Sequence, residues 1–156
     1  MRRITKLLLA AVAILPFLAI SALLARALGA EGAERTAITA LVQQEVHGDS
    51  GGLIARWQGC GAQPSCRALA ARLSSSLRRA GTLSVLELQP STGFSLTSTR
   101  GIARVAWSTS SVTRPVVQCV LVRRAGNVLS GLRIELLRIT PPIRSDSNCP
   151  GGTSGP

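Results

Sequence analysis

Val116-Val117-Gln118-Cys119-Val120-Leu121-Val122-Arg123-Arg124 is apolar on both faces of an extended chain. Val117, Cys119 and Leu121 point one way, and Val116, Val120 and Val122 point the other. A strand of that kind needs cover on both sides, which places it in the interior of a sheet. Its neighbours read as strands too: Thr82–Gln89, Phe94–Thr99 and Ile102–Thr109 before it, Val128–Ile139 after it. Pro90-Ser91-Thr92-Gly93 and Ala125-Gly126-Asn127 supply turn chemistry between runs. The break at Arg100-Gly101 is weaker, so the second and third runs read equally as one bent strand with a bulge. In Ile102–Thr109, Ala103, Val105 and Trp107 share a face. In the last run Leu132, Ile134 and Leu136 alternate with Arg133 and Glu135, which marks one wet face.

Upstream of the sheet the apolar period changes to that of a helix. Ile38, Leu41, Val42, Glu45 and Val46 form one stripe over Glu34–His47, and Gly48-Asp49-Ser50-Gly51-Gly52 is expected to end that helix. Leu53–Gln58 adds one or two turns. A second helix is expected over Arg67–Arg79, with Ser65 as N-cap, Gly81 as the C′ residue, and Cys66, Leu69, Ala70, Leu73 and Leu77 facing inward; Ser74 lies off that stripe. Residues 141–156 read as a tail, because Pro141-Pro142 cannot continue a central strand.

Residues 7–25 are of a different kind. Leu7–Ala25 is an apolar run without a charge, preceded by Arg2, Arg3 and Lys6 and closed by Arg26. At about 1.5 Å per residue it reaches about 28 Å, close to the thickness of a bilayer's hydrocarbon core. The cations before it and Glu31 and Glu34 after it put the N-terminus in the cytoplasm and everything from Leu28 onward outside. Ala25-Arg26-Ala27 is a usable signal-peptidase site and Ala27-Leu28-Gly29 a second, so a cleaved signal competes with an anchor. The run is long for a signal, and the helical pattern continues beyond it, which favours the anchor. Export then explains the cysteines. Cys60, Cys66, Cys119 and Cys149 all follow the apolar run, and an even number in an oxidising compartment argues for two disulfides. Of three connectivities, Cys60–Cys66 with Cys119–Cys149 is preferred; the short loop is worth about 2 kcal/mol and the long one about 3–4 kcal/mol in the chain-entropy account. A zinc site is disfavoured by the spacing and by the single histidine.

The expected architecture is α+β: an N-terminal membrane helix, then two helices packed on a four- to five-stranded antiparallel sheet. The units are residues 1–27, signal or anchor; 28–47, a juxtamembrane helix; 48–140, the globular domain; and 141–156, a tail tied by Cys149. The element order resembles cystatin-like and nuclear-transport-factor-2-like domains in arrangement alone, and no residue motif carries a family.

The chain has eighteen Lys and Arg against seven Asp and Glu, a net charge of +11. Arg2, Arg3, Lys6 and Arg26 belong to the targeting segment or its edge, leaving +7 for the exported part. Such a surface favours anionic partners. Arg104, Arg124 and Arg133 are the candidate anionic-partner surface, if the wet face of the sheet presents them together. Only Trp107 and Phe94 could stack on bases, and both read as core, so a nucleic-acid partner is disfavoured. Catalytic chemistry has little to stand on. His47 is the single histidine, with Asp49 beside it but no placed nucleophile, and no nucleophile elbow or phosphate-binding loop occurs. Glu87 and Glu135 could face each other across strands, yet Arg104 and Arg133 are placed to neutralise them. No catalytic, cofactor or metal residue is assigned. The expected function is a non-catalytic envelope protein that binds another protein or an anionic envelope component; a small-molecule or lipid-binding pocket between helices and sheet is the first alternative, and an arginine-rich anionic-polymer or nucleic-acid binder the second.

Overall fold

A computed structural model describes residues 2–91, 98–126, 132–144 and 149. Helix α1 is one uninterrupted helix, Arg2–His47, 46 residues or about 69 Å long, with Pro16 inside it. α2 (Ser50–Arg56), a 3₁₀ turn (Cys60–Ala62) and α3 (Pro64–Ser76) follow, then strands β1 (Leu83–Gln89), β2 (Ser98–Thr109), β3 (Val112–Ala125) and β4 (Arg133–Ile139). The four strands form one antiparallel sheet in the order β1-β2-β3-β4, so β3 is interior. The architecture is therefore α+β with an N-terminal apolar helix.

The two halves of α1 have different surroundings. Val12, Phe17 and Leu24 are 68 %, 69 % and 60 % exposed, an apolar surface that no described residue covers. From Ala30 the helix becomes one-sided: Ala30, Glu34, Ile38, Leu41, Val42, Glu45 and Val46 are buried. That stripe packs on the sheet face formed by Leu88, Ala103, Val105, Trp107, Val120 and Val122, with Leu53 of α2, Leu73 of α3 and Leu77 just after α3 in the same core. The second half of α1 thus belongs to the core of the domain rather than to a separate juxtamembrane element.

Several sequence expectations need correction. α1 ends in a Schellman arrangement: Gly48 has φ +75°, its N–H donates to Glu45 O (3.0 Å), and Asp49 N–H donates to Gln44 O (2.9 Å). The glycine cluster does not prevent a new helix. Asp49 at once caps α2, accepting from Gly52 N–H at 2.9 Å, so Ser50, Gly51 and Gly52 form its first turn. α3 begins at Pro64 with Gln63 in the cap position, because proline's fixed φ suits the first helical residue; Ser65 lies inside the helix and is not its cap. It stops at Ser76, with Leu77 at the C-cap, since the chain turns away for Arg79 N–H to reach Val46 O (3.0 Å); Gly81, at φ +94°, serves the next turn instead. Ser74 is buried, its hydroxyl donating to Ala71 O.

β2 runs straight through Gly101 without a register shift. The irregularities lie at Val85/Glu87, at Trp107/Thr109 and at Leu121/Val122. Residues 94–97 and 128–131 of the expected runs lie outside the described residues. The disulfides are Cys60–Cys66 and Cys119–Cys149, with Cα–Cα distances of 5.2 and 5.7 Å. The first joins the 3₁₀ turn to α3. The second holds the segment after β4, which stays beside β3 by skipping its prolines: Thr140 N–H donates to Cys119 O and Ile143 N–H to Val117 O, on either side of Pro141-Pro142.

Gly101 has a structural duty. A Cβ there would collide with the Cβ of Ser91, so only a residue without a side chain lets Ser91 lie against β2. Gly101→Val is expected to expel Ser91 and lower stability by about 2–4 kcal/mol. Urea unfolding of the full chain in detergent micelles measures this; an unchanged midpoint would mean that Ser91 relocates without cost.

Candidate functional site

The pleat divides the arginines of the sheet. On β3, Gln118, Val120, Val122 and Arg124 face the helices, whereas Cys119, Leu121, Arg123 and Ala125 face outward. Arg104 pairs with Cys119 and Arg133 with Ala125, so both lie on the outer face. Arg124 does not join them. Its Nε donates to Glu34 Oε2 at 2.7 Å and its second guanidinium nitrogen to Ser91 O at 2.7 Å, with 12 % of the side chain exposed. The proposed trio is thus split, because a one-residue difference in register puts Arg124 on the other side of the sheet. Arg133 is exposed and Arg104 half-buried. Around them on the outer face stand Arg100, directly opposite Arg123, and Glu135, which pairs with Arg123 (Nε–Oε2 2.6 Å). Glu87 and Glu135 lie on opposite edge strands and do not meet, since two strands separate them.

Glu34 is fully buried and fully engaged. Besides Arg124 it accepts from Ser91 N–H at 2.7 Å and from Ser91 Oγ–H at 2.9 Å. This clasp joins α1, the end of β1 and the end of β3. Sequence reasoning counted Glu34 only as a charge after the apolar run; its place at i−4 from Ile38 on the buried stripe was the available signal.

Three turns further along α1, Glu45 is also fully buried, but differently held. Trp107 Nε1–H donates to Gln118 Oε1 (2.8 Å), and Gln118 Nε2–H₂ donates to Thr140 O (3.1 Å) and, at 3.3 Å, to Glu45 Oε1. Glu45 Oε2 is buried without a hydrogen-bond partner among the described residues. Burial in this apolar interface pushes the Glu45 carboxyl up from 4.5 to about 7, only partly opposed by the bond from Gln118.

His47 is the exposed last residue of α1, and Asp49 is committed to capping α2 rather than to His47. Among the described residues, shallow clefts lie beside Trp57, Cys60, Cys66 and Arg138, beside Leu69 and Pro141–Ile143, and beside His47, Arg78 and Gly81. Glu45 lines none of them, and the helix-facing side of the sheet is filled by the core side chains named above. All four cysteines are disulfide-bonded, and no group of metal-ligating side chains occurs among the described residues. No protein-family model matches the chain, and no curated protein or solved structure is significantly similar to it.

Two expectations follow. The folded state holds a proton on Glu45 that the unfolded chain releases near pH 4.5, so the Glu45 contribution to stability is most favourable below that pH and falls as pH rises toward 7, by about 3 kcal/mol in total. Glu45→Gln keeps an oxygen for Gln118 and is expected to remove this slope, raising stability at pH 8 while leaving it unchanged near pH 4.5; parallel pH profiles for both proteins would refute the assignment. Arg124→Met strands a buried carboxylate and is expected to cost about 3 kcal/mol or more, most of it recovered in the Glu34→Met, Arg124→Met double variant. Chemical denaturation of the three proteins gives the coupling directly.

Proposed function

We propose that the chain is a non-catalytic envelope protein: a disulfide-braced α+β domain held at a bilayer by its own first helix, on the outer side, where it binds a protein partner during envelope assembly. The observation that carries this reading is α1 itself. It is long and apolar enough to cross a bilayer, and it runs without a break from the apolar residues into the core of the domain. The exposed apolar surface of Val12–Leu24 is of the kind that lipid covers. Two disulfides support an oxidising compartment. An anchor of this form raises the concentration of the domain near other membrane-bound proteins without any new contact.

Crosslinking in intact cells, followed by identification of what is captured, tests the assembly role. A reproducible envelope-protein partner is the expected result; capture of lipid alone would remove the basis for it. Extraction of membranes with alkaline carbonate tests the anchor: the full-length 16.3 kDa chain is expected to stay in the pellet. A soluble species lacking residues 1–27 would replace the anchored protein by a secreted one.

A further inference from the structure

The two polar contacts of α1 orient the domain relative to the apolar segment. Glu34 meets Arg124 and Glu45 meets Gln118. α1 therefore advances eleven residues, about 17 Å, while β3 runs back over six, about 20 Å. The near-equal distances set β3 antiparallel to α1, with its C-terminal end toward the apolar half of the helix. Ala25 closes the apolar run, and Glu34 stands nine residues, about 14 Å, beyond it.

That end of the domain is basic. Arg100 and Arg133 lie within one residue of the Arg124 level in the sheet register, on its outer face, and Arg35 follows Glu34 on α1; all three are exposed. The charges of Arg124 and Arg123 are already met by Glu34 and Glu135. Among the described residues the exposed acid at this level is Glu31. The connections at 92–97 and 127–131 add no acidic residue to the sequence. Arg100 stands directly opposite Arg123, whose charge Glu135 takes up, so Arg100 adds its own positive charge to this end of the outer face.

We infer that this end, through Arg35, Arg100 and Arg133, docks on the anionic phospholipid headgroups of the membrane that α1 crosses. The headgroup layer extends roughly 5–8 Å beyond the hydrocarbon core. A residue about 14 Å above that core, with an arginine side chain reaching down, lies within a Debye length of the phosphates. Each such arginine adds a small, salt-sensitive attraction, and the rigid helix holds all three at the right height. The domain would then lie seated on the surface, with its far end, at Arg78 and Arg114, presented outward.

The inference rests on the anchored reading, and one experiment separates the two. The full chain is reconstituted in nanodiscs of phosphatidylcholine alone, or of phosphatidylcholine and phosphatidylglycerol in equal parts, and its melting temperature is followed by circular dichroism. Failure to enter phosphatidylcholine discs would overturn the anchored reading and the inference with it. In discs that hold the protein, phosphatidylglycerol is expected to raise the melting temperature by about 4 °C or more at low salt, through preferential binding to the folded state. The rise should vanish in 1 M salt, where the Debye length is about 3 Å. It should also vanish in the Arg35→Gln, Arg100→Gln, Arg133→Gln variant, whose melting in phosphatidylcholine alone should match that of the parent. It should persist in the Arg78→Gln, Arg114→Gln variant. Equal melting in both lipids, or a rise that survives the triple substitution, would overturn the docking while leaving the anchor intact.

Discussion

One helix meets two environments, and the rest of the molecule is arranged around the point where they change. From Leu7 to Ala25 α1 carries no charge on any side; from Ala30 only one face is buried. The buried face carries two carboxylates, Glu34 and Glu45, eleven residues and so about three turns apart. Each meets a polar side chain of β3. Apolar packing alone would let a helix slide along a sheet with small loss, because dispersion and burial are not directional. Two buried polar contacts allow one position.

The two contacts are not equivalent. Glu34 has an arginine and two hydrogen-bond donors from Ser91 on its carboxylate, and Gly101 leaves the space in which Ser91 supplies them. Glu45 has one long hydrogen bond from an amide that already serves Thr140, and its second oxygen has none among the described residues. The interior there favours the protonated acid. The second contact therefore adds a cost that grows as pH rises from 4.5 toward 7.

The edges of the sheet are treated differently. At β4 the chain after α2 comes alongside: Trp57 bridges Leu136, Gln58 N–H donates to Leu136 O at 2.8 Å, and Trp57 Nε1–H donates to Leu137 O at 2.5 Å. β1 is interrupted by its irregularity at Leu86, which bends the strand and works against pairing with another chain. Beyond β4, Thr140 and Ile143 continue the pairing with β3, and Cys149 is tied to Cys119 of that strand.

Local periodicity was enough to determine the order of elements, the interior position of Val116–Arg124, the inward stripe of α1 and the apolar segment before it, because each depends on spacing within a few turns or strand residues. The cysteine pairs were legible for a related reason: the apolar run placed all four on one side, an even count there argued for two disulfides, and the preferred pairing is the one observed. Helix ends were less legible, since Asp49 starts α2 through one capping bond and Pro64 starts α3 through its fixed φ, signals that glycine content and serine preference obscured. Charge partners were not legible at all. Glu34 and Arg124 lie 90 residues apart. Whether Arg124 joins Arg104 and Arg133 outside or Glu34 inside depends on a one-residue register, which reverses the face of every side chain. Only the tertiary structure decided that, because it alone sets which strand residue stands opposite which.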